Sequence, residues 1–88
     1  MHEMSIAIEV CRIAEQEAAA AGPGAQSVVA VGVDVGDNAG VELSSLTFCL
    51  ECLLAEPPFA GAKPVIRRSH GDVLRVSYVE VDDGRPND

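Results

Sequence analysis

The chain has 88 residues, a formal charge of −8 and 48% apolar side chains, with only 3% aromatic. That length holds a single domain, residues 1–88, which can bury about 60% of the surface its unfolded chain exposes, and the apolar share is globular rather than disordered. The acidic balance argues against nucleic-acid partners, which need Lys and Arg to displace phosphate counterions, and no apolar run reaches the roughly 18–20 residues that span a membrane.

Residues 4–21 read as a helix: Ile6, Val10, Ile13 and Ala14 recur at helical spacing, with Glu9, Arg12, Glu15 and Gln16 off that stripe. Glu3 or Ser5 suits the amino end, where orphan N–H groups and the dipole favour acceptors and negative charge. Gly22-Pro23-Gly24 ends the helix. A strand follows over 27–35, with Val29, Val31, Val33 and Val35 on one face and Val28, Ala30, Gly32 and Asp34 on the other. After the turn formers of 36–40, a second helix covers 42–55. Leu43, Leu46, Leu50 and Leu53 form its apolar stripe, widened by Phe48, Cys49 and Leu54, and Pro57-Pro58 ends it.

The last third reads as two strands. Residues 64–68 suit an edge position, because Pro64 lacks an N–H. Residues 73–81 alternate, placing Val73, Arg75, Ser77, Val79 and Val81 opposite Leu74, Val76, Tyr78 and Glu80. Ser69-His70-Gly71-Asp72 between them carries hairpin-turn residues, and 82–88 reads as a polar, flexible tail. The order helix-strand-helix-strand-strand predicts an α+β fold: a two-layer sandwich of a three-stranded sheet with both helices on one face.

No nucleophile triad, phosphate loop or paired catalytic carboxylates stand out, so the chain is not expected to be an enzyme. Cys49-Leu50-Glu51-Cys52 has the spacing of a redox pair or half a zinc site. Its place within a leucine-rich helix instead favours packing roles for both cysteines. His70 reads as a solvated turn residue. His2 is different. A histidine at position 2 offers the terminal amine, its own amide and its imidazole on short chelate rings, with the Glu3 amide as a fourth nitrogen. Such donors favour square-planar nickel or copper over magnesium or calcium. The bulk of His2 hinders removal of Met1, so Met1 supplies the amine. Met1-His2-Glu3 is also too polar for a secretory leader, and three cysteines cannot all pair. A cytoplasmic location is therefore expected.

Met1-His2-Glu3-Met4-Ser5, opening into an amphipathic helix, resembles the start of the HypA/HybF family of hydrogenase nickel-insertion proteins. The valine strand ending in Asp34-Val35-Gly36 is similar to that family's strand closing on glycine. Val41-Glu42-Leu43-Ser44-Ser45-Leu46-Thr47-Phe48-Cys49 is similar to its second helix, and the segment from Gly71-Asp72-Val73 to Val81 resembles its closing strand. Family members carry a zinc module with two C-x-x-C pairs between the last two strands. Here Arg68 leads through 69–72 directly to Val73, so zinc is not expected, and Cys49 and Cys52 do not correspond to the zinc ligands.

The resemblance implies that Met1, His2 and Glu3 hold Ni(2+), with the Glu3 side chain also serving to dock a HypB-like GTPase. It implies delivery to the large subunit of [NiFe]-hydrogenase, while the small core by itself leads to the further expectation of a homodimer. The missing module leaves a second expectation open: a metal-independent interaction or assembly module that kept the HypA fold but lost nickel delivery, binding its partner through the sheet face or the acidic surface.

Overall fold

Helix α1 (Glu3–Ala20), strand β1 (Ser27–Gly36), helix α2 (Leu43–Leu54) and strands β2 (Lys63–Ser69) and β3 (Leu74–Asp82) follow in the order expected. They come from a computed structural model that describes residues 2–22 and 27–82. The Met1 amine, the expected stop at Pro23-Gly24 and the expected tail beyond Asp82 lie outside the described residues. At the carboxyl end of α1, Ala21 closes the helix with its N–H on Glu17 O and Ala18 O. Gly22 then takes the left-handed conformation (φ +94) that a side chain would resist.

The sheet order is β2-β1-β3. β1 runs parallel to β2, with α2 as the crossover between them, and antiparallel to β3. The valine-rich strand takes the centre because it alone is buried on both faces, whereas β2 and β3 alternate with solvent at the edges. Both helices cover one face. Ala7, Val10, Cys11 and Ala14 of α1 and Leu46, Leu50 and Leu54 of α2 share one core with Val31, Val33 and Val35 of β1. The result is the two-layer α+β arrangement, with three local departures from the expected pattern.

First, residues 69–73 are not a hairpin turn. β2 and β3 flank β1 without pairing to each other, so their connection passes over the end of β1. Gly36 N–H donates to Val73 O at 2.6 Å, Asp37 N–H to Ser69 O at 2.9 Å and Asn38 N–H to Gly71 O at 2.7 Å. The Asp37 carboxylate accepts the Gly71 N–H at 3.0 Å. Glycine and aspartate suit such a crossing as well as a hairpin, because both need tight backbone and local side-chain acceptors. Turn chemistry therefore could not distinguish them.

Second, two irregularities shift the strand faces. The register passes from Val28↔Val81 to Ala30↔Glu80 across Val29, and from Gly32↔Tyr78 to Val33↔Val76 across Ser77. Each extra residue moves the following side chains to the other face. Val28 is thus in the core and Val29 is 37% exposed, while Val76 joins Val79 and Val81 against the core.

Third, the helix stripes are rotated from the sequence reading. The centre of α1 is Ala7 and Cys11 rather than Ile6 and Ile13, which stand at the shoulder facing β3. Small residues there let α1 approach the sheet and α2 closely. On α2, Phe48 is 65% exposed, so the widened stripe extends to Leu54 but not to the phenyl ring.

Candidate functional site

The amino end is defined by what α1 leaves unused. Among the described residues the first helical bond runs from Ile6 N–H to His2 O, and at any helix start the first four amides lack an acceptor in the ladder. His2 occupies the cap position in extended backbone (φ −87, ψ 95), and its side chain makes no capping hydrogen bond. The imidazole is exposed. The sequence reading offered Glu3 or Ser5 as the amino-end residue. Glu3 lies in the first turn, where its charge favours the dipole.

Glu3 does something further. Its Oε2 accepts the Glu42 N–H at 3.1 Å, joining the start of α1 to the start of α2. Glu42 is itself the cap of α2. Its carboxylate accepts the Ser45 N–H at 2.6 Å, the Ser44 N–H at 3.4 Å and the Ser44 hydroxyl at 2.8 Å. One carboxylate thus satisfies the first amides of α2, and a second, from α1, satisfies the cap residue's own amide. The root of the amino-terminal arm is thereby held against α2, leaving His2 to project from a fixed point. Glu42 therefore stands one place before the helix rather than as its first residue. Its signal was the run Glu42-Leu43-Ser44-Ser45, an acidic residue two and three places before serines at a helix start.

Bonds from Ser45 and Ser44 push the Glu42 carboxyl down to about 2 from the usual 4.5. The carboxyl of Glu3 is lowered too, chiefly by the Glu42 N–H. A depressed native pKa gives stability that is complete above the unfolded value and lost as pH falls. Thermal stability of the wild-type chain is therefore expected to fall as pH drops from about 4.5 to about 2. Glu42→Gln should show a shallower decline across that window, by melts followed at 222 nm. Parallel curves for the two proteins would contradict the capping role.

The other sequence candidates fall elsewhere. Cys11 is buried, and burial pushes its thiol up, as does the charge of Glu15. Cys49 packs partly against the core and Cys52 is exposed, both well past the start of α2, where no helix dipole favours a thiolate. His70 is fully exposed on the crossing, its Nδ1 3.9 Å from Asp37 Oδ2. Among the described residues no three His, Cys, Asp or Glu side chains converge to hold a metal ion. No helix among the described residues is long and apolar enough to cross a membrane.

One constellation escaped the sequence reading. Asp34 is fully buried in β1, on the face away from the helices, between Arg67 of β2 and Arg75 of β3. Arg67 donates from Nε to Oδ1 at 3.2 Å and from Nη2 to Oδ2 at 3.3 Å, and Arg75 Nε donates to Oδ2 at 3.2 Å. Burial would raise the Asp34 carboxyl, but the two guanidiniums outweigh it and hold it below the usual carboxylate range. A single aspartate in a valine strand was the available signal, since a charge there requires partners.

Comparison with known proteins bears on these residues. A family model described as "Hydrogenase/urease nickel incorporation, metallochaperone, hypA" matches residues 1–75. A hydrogenase maturation factor HypA of Geobacter metallireducens is 38% identical over 71 residues, covering 81% of this chain and 60% of the relative. The protein of the same name from Geotalea uraniireducens is 37% identical over 68 residues, covering 77% and 57%. That of Streptomyces avermitilis is 41% identical over 71 residues, covering 81% and 53%. The chain thus spans somewhat more than half the length of these relatives.

Proposed function

Because the chain belongs to the HypA family, matched over residues 1–75, we propose that it is a nickel-binding accessory protein of [NiFe]-hydrogenase maturation, taking up Ni(2+) at its amino terminus. The Met1 amine, the amide and imidazole of His2 and the amide of Glu3 are the ligands. The observation that carries this reading is the state of His2: extended backbone, no capping bond from its ring, and amides before Ile6 outside the helical ladder. Nitrogen ligation there breaks no helical hydrogen bond. The planar nitrogen set suits nickel, and an exposed arm of a few residues can surrender the ion to a deeper site. The chain acts by ligand exchange and is not an enzyme.

The Glu3 carboxylate supports the site indirectly through Glu42, and in this reading it also docks the partner. The partners of this reading are a HypB-like GTPase and the hydrogenase large subunit, in the cytoplasm, with self-association as a further property. Zinc is outside the reading. Only residues 70–73 separate β2 from β3, leaving no room there for a metal module.

That same short connection favours a second reading, a metal-independent assembly module that keeps the HypA fold without nickel delivery. Spectroscopy separates the two. A nickel-loaded chain with a free amino terminus is expected to show the diamagnetic signature of four-nitrogen square-planar nickel, and acetylation of the terminus should abolish it. A signature that survives acetylation rules out the assigned ligands. Metal-independent capture of the hydrogenase large subunit, together with no nickel binding, establishes the module.

A further inference from the structure

The sheet face opposite the helices is uncovered, and its side chains form an ordered surface. The register places Arg67, Asp34 and Arg75 in one row across the three strands and Val65, Gly32 and Tyr78 in the next. Tyr78 lies over Gly32, where a Cβ would overlap its ring. A cleft of about 230 Å³ opens beside it, lined by Val65, Arg67, Ser77 and Tyr78. Val65 is 41% and Tyr78 45% exposed, an apolar pair on a strand surface that nothing in this chain's described residues covers.

The arginines give the surface its sign. Asp34 is 1% exposed, whereas Arg67 and Arg75 are 72% and 67% exposed. Two guanidiniums share one carboxylate, so this end of the face carries a net positive charge within a chain of net charge −8. The buried carboxylate also fixes both guanidiniums before any ligand arrives, which lowers the ordering cost of binding. Each guanidinium has five N–H donors, and those not directed at Asp34 are available for a second carboxylate.

We propose that this face docks an acidic, extended segment of a partner protein. An apolar side chain of that segment enters the cleft between Val65 and Tyr78, and flanking carboxylates lie on Arg67 and Arg75. Charge complementarity selects the occupant: a second copy of this acidic chain would bring net repulsion, whereas a segment with two carboxylates around an apolar residue matches both rows. A free carboxylate in water gains little from exposed guanidiniums. A segment that also covers Val65 and Tyr78 excludes water, and the charge-assisted bonds then strengthen. Tyr and Arg are the residue types that carry such binding at interfaces. The surface is separate from the amino-terminal nickel arm and does not depend on it.

The test uses the full chain and an immobilised array of peptides about nine residues long, a length that spans the sheet. Each peptide has glutamates flanking a central Leu, Phe or Tyr, and each has a control with glutamine in place of glutamate. Acidic peptides are expected to bind at least about tenfold more tightly than their controls, with the difference shrinking at high salt. Val65→Glu should weaken the acidic peptides about tenfold, while circular dichroism and nickel titration stay at wild-type values. The triple variant Asp34→Asn, Arg67→Gln, Arg75→Gln removes the charges together, so that no buried carboxylate is orphaned, and should equalise acidic and control peptides. Equal binding of the two peptide sets by the wild-type chain overturns the proposal, as does failure of any acidic peptide to bind. A wild-type dimer in sedimentation that Val65→Glu turns into monomer assigns the face to a second copy and also overturns it.

Discussion

Replacing His2 by alanine is expected to lower nickel affinity by more than about 100-fold, beyond the 10–100-fold loss usual when a residue that only supports a ligand is removed. The expectation follows from its position. His2 is exposed and makes no capping bond, so the ring contributes nothing visible to folding and His2→Ala should melt as the wild type does. Isothermal titration calorimetry with nickel measures the loss directly. Affinity should also fall as pH drops in the wild type, because the amine, imidazole and amides must all release protons before they bind. The variant has no imidazole to deprotonate and should show a weaker pH dependence. Wild-type affinity in His2→Ala would remove the amino terminus as the site while leaving the fold and the open sheet face as described.

Gly36→Ala carries the largest expected cost in stability. A Cβ at this position would overlap the Gly71 carbonyl oxygen and stand 2.7 Å from Val73 N. Both obstacles are backbone, held by the 2.6 Å bond from Gly36 N–H to Val73 O and by the Asp37 contacts to Ser69 and Gly71. Relief requires the crossing to lift off the end of β1, breaking those bonds together. A loss of roughly 3 kcal/mol is expected, at the upper end for overpacking. For a chain of this size that lowers the thermal midpoint by roughly 12–24 °C. Gly40→Ala is the comparison. Its φ of +73 is unfavourable for alanine, but nothing lies within 4 Å, so its cost should be about 1 kcal/mol. Melts of the two variants that differ by less than a few degrees would mean that the crossing does not rest on Gly36.

The amino-terminal site and the open sheet face occupy different parts of the molecule. The first, as proposed, draws on main-chain nitrogens at the start of α1, whose first turn is tied to α2 by the Glu3 contact with Glu42. The second depends on a buried carboxylate between two strands. His2→Ala and Val65→Glu should therefore each impair one property and spare the other, and their effects should add when combined.

Much of this protein was determined by the chain alone. Helical spacing of Val10 and Ala14, and of Leu46 and Leu50, placed both helices within one or two residues. The valine run placed β1, and Met1-His2-Glu3 carries the proposal of an amino-terminal nickel site. These signals are local: periodicity and chelate geometry are set by residues within a turn or two of one another. The tertiary structure alone decided that β1 lies between β2 and β3, because glycine and aspartate serve a crossing and a hairpin equally well. It also decided which face Val28, Val29 and Val76 take, because a single bulged residue reverses every side chain beyond it. The Glu3–Glu42 and Asp34–Arg67–Arg75 contacts join residues more than thirty positions apart. No local pattern encodes such pairings. They exist because packing the helices and strands around one core brings those groups together, where a buried or orphaned polar atom must find a partner.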